Sequence, residues 1–156
     1  MTRRKGREIA LHILYQMEMS KLSAKDALDL YKKHFIDTTS DEEETSSFES
    51  AKELNEAFIF ASDLVLGIEN NKEFIDEKIK KFVKNWPFDR LNSTDKNILR
   101  IAIYEMFFRL DIPEVVSINE AVELAKYYGT DDSPAFVNGI LDSIFKRELM
   151  SGKKED

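Results

Sequence analysis

One stretch of the sequence restricts the fold more than any other. Between Ser93 and about Leu110, where Ser93 or Thr94 can cap a helix, apolar residues fall on nearly every side of the helix. A helix that is apolar all round is a buried one, so this stretch predicts the centre of the fold. The apolar positions are Ile98, Leu99, Ile101, Ala102, Ile103, Met106, Phe107, Phe108 and Leu110.

Helical spacing also governs the rest of the chain. Apolar residues recur at i, i+3, i+4 and i+7, and no segment alternates convincingly as a half-buried strand does. We therefore predict an all-α protein of about seven helices. Besides the central one, these helices run from about Arg7 to Met19, from Ser23 through Phe35, through Leu54 to Ile68, through Ile75 to Val83, from Ser117 to Tyr128 and from Ser133 through Phe145.

Short polar patterns mark the helix ends. Trp86–Pro87 ends the helix before it, because the residue preceding a proline is pushed out of helical geometry. Gly129 is predicted to end another helix in a left-handed conformation. The predicted helix starts are Ser23 with Asp26, Ser117 with Glu120, and Ser133 as a cap with Pro134 at the first helical position.

Charge is distributed unevenly along the chain. The 23 Lys and Arg residues against 30 Asp and Glu residues give a net charge of −7. Residues 1–36 hold eight bases and four acids, residues 37–49 hold six acids and no base, and residues 50–156 hold fifteen bases and twenty acids. Because binding depends on the local potential, the overall acidity does not exclude a nucleic acid. We interpret 37–49 as a solvated acidic loop away from any RNA-binding face, and 151–156 as a polar tail.

Several kinds of chemistry are excluded or poorly supported. Without cysteine there is no disulfide framework, thiolate zinc site or thiol catalysis. His12 and His34 lie on separate predicted helices without an H-E-x-x-H pattern, and an ordinary surface histidine is the favoured interpretation of His12. The five glycines stand too far apart for a phosphate-binding loop. No apolar run approaches the roughly 18 residues of a membrane span. We expect a cytoplasmic protein with no membrane segment, metal site, cofactor or catalytic residues.

The basic start of the chain is more informative. Arg3, Arg4, Lys5 and Arg7 are four cations in five positions. They are interpreted either as a frayed, solvated terminus or as a flexible cationic arm suited to RNA phosphates. Arg7 and Tyr15 can share a helix face, and a cation followed by an aromatic ring suits single-stranded RNA. Tyr15 could equally be packed in the interior with its hydroxyl group at the rim.

For two residues of the second half, the sequence offers no evident structural explanation. Asn119 lies in a predicted helix without a capping or core role, and it could simply be solvated. Gly139 lies inside the last predicted helix, where glycine costs about 1 kcal/mol relative to alanine. The glycine is explained either by close approach of another helix or by close approach of RNA or a partner.

Taken in order, these motifs resemble the NusB family of bacterial transcription antitermination factors over the whole chain. Each motif is weakly specific alone, and the ordered set is highly specific. The matching motifs are Arg3-Arg4-Lys5 and Arg7 leading into Ala10 and Leu14-Tyr15, then Trp86-Pro87-Phe88-Asp89-Arg90-Leu91, Asp95, Ile98 to Glu105, Pro113, Ile118 to Lys126, and Phe136-Val137-Asn138-Gly139. The basic arm is shorter, and residues 37–49 are longer and more acidic, than the family pattern leads one to expect.

The resemblance implies an all-helical fold of two small packed bundles, here roughly 1–84 and 88–150, forming one RNA-binding domain. It implies no catalysis. Proteins of this kind bind the boxA element of nascent RNA, chiefly in ribosomal RNA leaders. They act with a small ribosomal subunit protein, called NusE in this role, in the complex that lets RNA polymerase read through terminators.

The resemblance also implies an RNA surface drawn from the first helix, the start of the central helix and the last loop. Acids in such a surface can accept hydrogen bonds from base amino groups or orient arginines. Alternatively, Asp95 and Asp132 simply favour the starts of their helices. The family's RNA-contacting residues match Arg3, Arg4, Lys5, Arg7, Tyr15, Asp95, Asp132 and Phe136.

Two other classes of function compete with this one. The chain could be a protein–protein interaction domain without RNA affinity, in which the arginines are only a frayed end. NusB-like domains also occur at the amino end of ribosomal RNA cytosine methyltransferases. Such an enzyme needs a catalytic cysteine and a cofactor-binding domain, and we expect neither here because the sequence has no cysteine and ends at Asp156.

Overall fold

Of the predicted loop 37–49, residues 47–49 are helical, so the prediction is wrong there, and residues 38–46, like the predicted tail at 151–156, lie outside the residues described. The computed structural model describes residues 2–37 and 47–150. Within that part of the chain there are seven α-helices and no strand, which confirms the all-α prediction. The helices are α1 (Thr2–Ser20), α2 (Ala24–Tyr31), α3 (Ser47–Asn70), α4 (Lys72–Phe82), α5 (Ser93–Phe108), α6 (Glu114–Tyr128) and α7 (Ser133–Ile144). Lys32–Ile36 and Phe145–Leu149 are π-helical turns that continue α2 and α7, and Phe88–Arg90 is a 3-10 turn.

The chain divides into two compact units, one ending at Glu69 and the other beginning at Asn70. The resemblance implies halves of roughly 1–84 and 88–150, and the compact units of the structure divide earlier than that. The reason is the packing of α4, which contacts α5 and α7 and therefore belongs to the second unit. The helix end predicted at Trp86–Pro87 comes earlier in the structure, because α4 ends at Phe82 with Val83 as its C-cap.

In the first unit, α1 packs on α2. Of the four residues of the predicted apolar stripe, three are buried and Met17 is partly exposed. Ala10, Ile13 and Leu14 of that stripe are each 4% exposed or less. The predicted cap of α2 is confirmed, because the Ser23 side chain accepts a hydrogen bond from the Asp26 N–H at 3.1 Å. The Ala24 N–H donates to Glu69 Oε2 of α3 at 2.7 Å.

In the second unit, α5 is the central helix, as predicted. Every residue from Asn97 to Met106 is buried, and α5 packs on α4, α6 and α7. Its cap differs from the prediction of Ser93 or Thr94. The Asn92 side chain accepts from the Asp95 N–H at 2.8 Å, because Asn92 is the last residue with extended backbone before the helix.

Two groups of poorly exposed polar side chains in the second unit are paired internally. The Arg100 guanidinium makes a two-pronged ion pair with Asp76, at 2.8 and 3.0 Å, and a third bond to Asn97 Oδ1 at 2.9 Å. Ser117 was predicted to start a helix, but α6 begins at Glu114, directly after Pro113. The Ser117 hydroxyl instead donates to Glu105 Oε1 at 2.7 Å, where both residues are buried.

The start of α7 corrects two predictions. Gly129 has φ −97° and ψ −166°, so it is extended rather than left-handed. Glycine is needed there for space, because a Cβ would lie 2.5 Å from the Cβ and Oγ of Ser133. Ser133 is not the cap, since its hydroxyl accepts from the Thr130 N–H at 3.0 Å. Asp132 occupies the N-cap position, and α7 begins one residue before Pro134.

Gly139 does not serve close packing of helices. A Cβ built on it meets nothing within 4 Å among the described residues. Of the two explanations drawn from the sequence, helix–helix approach is therefore wrong. Asn119 is exposed on α6, in keeping with a solvated side chain.

Candidate RNA interface

The four basic residues near the amino terminus are helical. The sequence suggested a flexible arm with a helix beginning near Arg7, but α1 already begins at Thr2. Gly6 explains the difference, because it is pressed against α3. A Cβ there would lie 2.7 Å from Phe60 Cδ2 and 2.9 Å from the Ala57 carbonyl oxygen. α1 thus contacts α3 at Gly6, and the helix extends back to Thr2.

The four cations differ in exposure. Arg3, Arg4 and Lys5 are exposed, whereas Arg7 is only 4% exposed. The guanidinium groups of Arg3 and Arg7 lie over the Phe60 ring, with their Cζ atoms 5.2 and 5.4 Å from its centroid. Three cations at the positive end of a helix dipole suit an anion such as phosphate. Arg7 is too buried to serve as an open phosphate contact, and its position supports the fold of this turn.

Tyr15 lies farther along α1, on a groove of about 890 Å³. Its side chain is 48% exposed, so the alternative of a tyrosine packed in the interior is wrong. Tyr31 and Phe35 line the same groove, and their ring centroids lie 4.7 Å apart. Burial raises the pKa of the Tyr31 hydroxyl. The groove is lined by His12, Ile13, Tyr15, Gln16, Ala27, Leu30, Tyr31, His34 and Phe35.

In the second unit, Asp95, Asp132 and Phe136 line one pocket of about 290 Å³. Asp95 comes from the first turn of α5, while Asp132 and Phe136 come from the start of α7. Packing of α5 on α7 is what brings these helix starts together. The structure therefore unites three residues that are far apart in the sequence.

Asp95 lies in the first turn of α5, but its carboxylate is also buried. It is 7% exposed, its N–H is capped by Asn92, and its Oδ2 accepts from Asn92 Nδ2 at 3.2 Å. Its Oδ1 is buried and has no hydrogen-bond partner among the described residues. A buried acceptor without a partner is costly, so the position of this carboxylate destabilises the fold rather than supporting it. Asp132 is exposed at the N-cap position and makes no side-chain capping bond there.

Sequence reasoning missed four residues of this pocket. Trp86 and Arg90 line it together with Leu91 and Asn92, and the Trp86 side chain is 57% exposed. In the sequence, Trp86 marks a predicted helix end and belongs to a motif of the family, but neither observation predicts that it lines a pocket. The missed signal is the alternation of bases and aromatic rings from Lys80 to Arg90, a pattern that suits nucleic acid.

Two other kinds of site are absent from residues 2–37 and 47–150. This part of the chain has no helix that is both long enough and apolar enough to cross a bilayer. It also has no group of three or more His, Asp or Glu side chains arranged to hold a metal ion.

Comparisons with known proteins match the chain to one family. The model of the NusB family matches residues 4–146. The transcription antitermination protein NusB of Geotalea daltonii is 46% identical over 143 residues, covering 92% of this chain and 93% of the relative. The protein of the same name from Clostridium novyi is 42% identical over 146 residues, covering 94% and 99%.

Solved structures give the same result. NusB of T. maritima matches with a TM-score of 0.76 and 33% identity, covering 99% of this chain and 97% of that one. A chain from the crystal structure of a plectonemic RNA supercoil has a TM-score of 0.75 at 24% identity, and it supports the fold alone. With a family model over most of its length and relatives above 40% identity, the chain belongs to the NusB family.

Proposed function

We propose that this protein is a transcription antitermination factor that binds boxA-type single-stranded RNA of ribosomal RNA leaders. It acts together with a small ribosomal subunit protein in the NusE role, within the RNA polymerase antitermination complex. It performs no reaction and needs no cofactor. One observation carries the proposal: Asp95, Asp132 and Phe136, which match the family's RNA contacts, line a single pocket.

The first unit supports the same function. Arg3, Arg4 and Lys5 are exposed on the first turn of α1, and Tyr15 is half-exposed on the same helix. Cations supply affinity for the phosphate backbone, and an exposed ring offers a stacking face for an unpaired base. In this proposal Arg7 has a structural role, because its guanidinium packs on the Phe60 ring and stabilises the start of α1.

The protein partner needs a surface of different chemistry. Exposed apolar side chains occur near the turn between α5 and α6, where Leu110 is 87%, Val115 59% and Val116 39% exposed. Grouped exposed apolar residues are typical of protein interaction sites. We assign the NusE-type protein to this part of the second unit.

The test is an RNA titration followed by fluorescence anisotropy. A labelled boxA-type RNA and a scrambled RNA of the same composition are titrated with the protein, alone and with the purified ribosomal protein, at two salt concentrations. We expect tighter binding to the boxA-type RNA and a further gain with the partner. Binding of the ribosomal protein without any RNA affinity would favour the alternative, a pure protein interaction domain.

Tyr15 gives a residue-level prediction. Replacing Tyr15 with alanine removes a stacking face and should weaken RNA binding by about 1–3 kcal/mol. The measurement is the same anisotropy titration, with circular dichroism to verify that the variant stays helical. Tyr15→Phe keeps the ring and should bind nearly as wild type. Equal binding by Tyr15→Ala and wild type would remove Tyr15 from the RNA surface.

A further inference from the structure

Three aromatic rings meet at the surface where α4 begins and α5 ends. The Phe74 ring packs edge-on against the rings of Phe107 and Phe108, with centroid distances of 5.3 and 5.5 Å. Phe74 and Phe108 are 40% and 39% exposed, and Leu110, two residues farther along the chain, is 87% exposed. Apolar side chains that are grouped and open to water are typical of protein interaction sites. We call Phe74, Phe107 and Phe108 the aromatic cluster.

The aromatic cluster is held in place from two sides. On α5, the ring of the buried Tyr104 stacks on the Phe108 ring, with the centroids 5.5 Å apart. On α4, Lys78 Nζ lies 4.9 Å from the Phe74 centroid and donates to Glu148 Oε1. Rings that are fixed before a partner arrives lose little conformational entropy on binding, which makes them suitable anchors.

The charge next to the aromatic cluster is negative. Residues 72–78 and 107–114, the two segments that carry the rings, hold five acids and three bases. Two of these bases, Lys78 and Arg109, are engaged in ion pairs. Residues 80–96, toward the start of α5, instead hold five bases and two acids. Because α5 has 16 residues, about 24 Å separates its acidic, aromatic end from its basic end.

This combination of charge and apolar surface distinguishes three possible occupants. RNA is a polyanion, so the acidic segments repel it while the basic end of α5 attracts it. A second copy of the chain would bring the same acids and a net charge of −7. A cationic protein is attracted by the acids and can place an apolar side chain on the rings. Proteins that bind ribosomal RNA are basic, because neutralising phosphates requires Lys and Arg.

We propose that the aromatic cluster, with Leu110 beside it, anchors the small ribosomal subunit protein in the NusE role. An apolar side chain of that protein packs on Phe74 and Phe108, and its basic residues face Glu73 and Glu77, which are exposed on α4. The inference rests on the proposed function, since it needs this partner. It adds the residues that bind the partner and the chemistry by which they do so.

The test measures binding of the purified ribosomal protein, without RNA, by isothermal titration calorimetry. Phe74→Ala and Phe108→Ala should each weaken binding at least about 5-fold, because truncation of an anchor residue removes a large part of the affinity. Circular dichroism verifies that the variants stay helical. The control Tyr127→Ala, which removes a 74% exposed ring on α6, should bind as wild type. Wild-type affinity in both phenylalanine variants would overturn the proposal.

Leu110 and the acids of α4 give variants that leave the core untouched. Leu110→Lys puts a cation against a cationic partner, so it should weaken binding more than Leu110→Ala does. Glu73→Gln combined with Glu77→Gln should weaken binding and make it less sensitive to salt. The matched pair Glu53→Gln and Glu56→Gln, exposed on α3, should change neither property. An affinity that neither Leu110→Lys nor the α4 pair reduces would refute the proposed anchor site.

The failures of the two proposals can be told apart. If the wild type binds RNA and the ribosomal protein, and the cluster variants bind that protein equally well, only this inference is wrong. It is also wrong if those variants lose affinity for RNA alone, or lose only self-association in sedimentation. If the wild type binds neither RNA nor the ribosomal protein, the proposed function fails and this inference fails with it.

Discussion

Replacing Asp76 with alanine should lower the free energy of unfolding by about 3–5 kcal/mol, the range found when one member of a buried ion pair is removed. The side chains of Arg100 and Asp76 are only 6% and 13% exposed, and the carboxylate takes two guanidinium bonds. Without Asp76, Arg100 keeps Asn97 as an acceptor but remains a charge in a poorly solvated place. Urea denaturation followed by circular dichroism measures the change.

A double variant separates the unpaired charge from lost packing. Asp76→Ala combined with Arg100→Met removes both charges and keeps an apolar side chain of similar length. It should be more stable than Asp76→Ala alone, because replacing a buried pair by apolar residues is often neutral. A double variant as unstable as, or less stable than, the single one would contradict this account of the pair.

Leu99→Ala should destabilise the protein by about 2–5 kcal/mol, the cost of deleting a large core side chain and leaving a cavity. Leu99 is 0% exposed on α5, and the three helices packed on α5 limit how far the cavity can collapse. The measurement is again urea denaturation.

Leu110 provides the matched control for the core variant. It carries the same side chain just after α5 but is 87% exposed. Leu110→Ala should change the free energy of unfolding by less than about 0.5 kcal/mol. If the two variants were equally stable, α5 would not be the core helix.

Most of the architecture could be predicted from the sequence. Apolar spacing predicts each helix, and the all-round apolar stretch predicts α5 as the central one, because burial requires an apolar surface on every side. Helix ends were less predictable. Asn92, Ser117 and Ser133 each show why: a short polar side chain can cap a helix or bond to a neighbour, and only the packed structure decides.

The candidate site could be predicted from the sequence only in part. The family resemblance predicts Asp95, Asp132 and Phe136 as site residues. It does not predict that Asp95 is buried, with one carboxylate oxygen unpaired among the described residues. Arg7 looked like its basic neighbours, and only the packing of α1 on Phe60 distinguishes it. Trp86 was overlooked because a tryptophan before a proline has a sufficient local explanation as a helix end.

The salt dependence of RNA binding tests whether this protein is an RNA-binding factor. Each phosphate contact on a single strand contributes roughly −0.7 to the slope of log K against log salt. Replacing the exposed Arg3, Arg4 and Lys5 together with glutamine should make the slope shallower by about 2. The charge-matched control Lys25→Gln, Lys126→Gln and Lys146→Gln should keep the wild-type slope. A wild-type affinity that does not vary with salt, or a slope unchanged by the first set, would contradict the account.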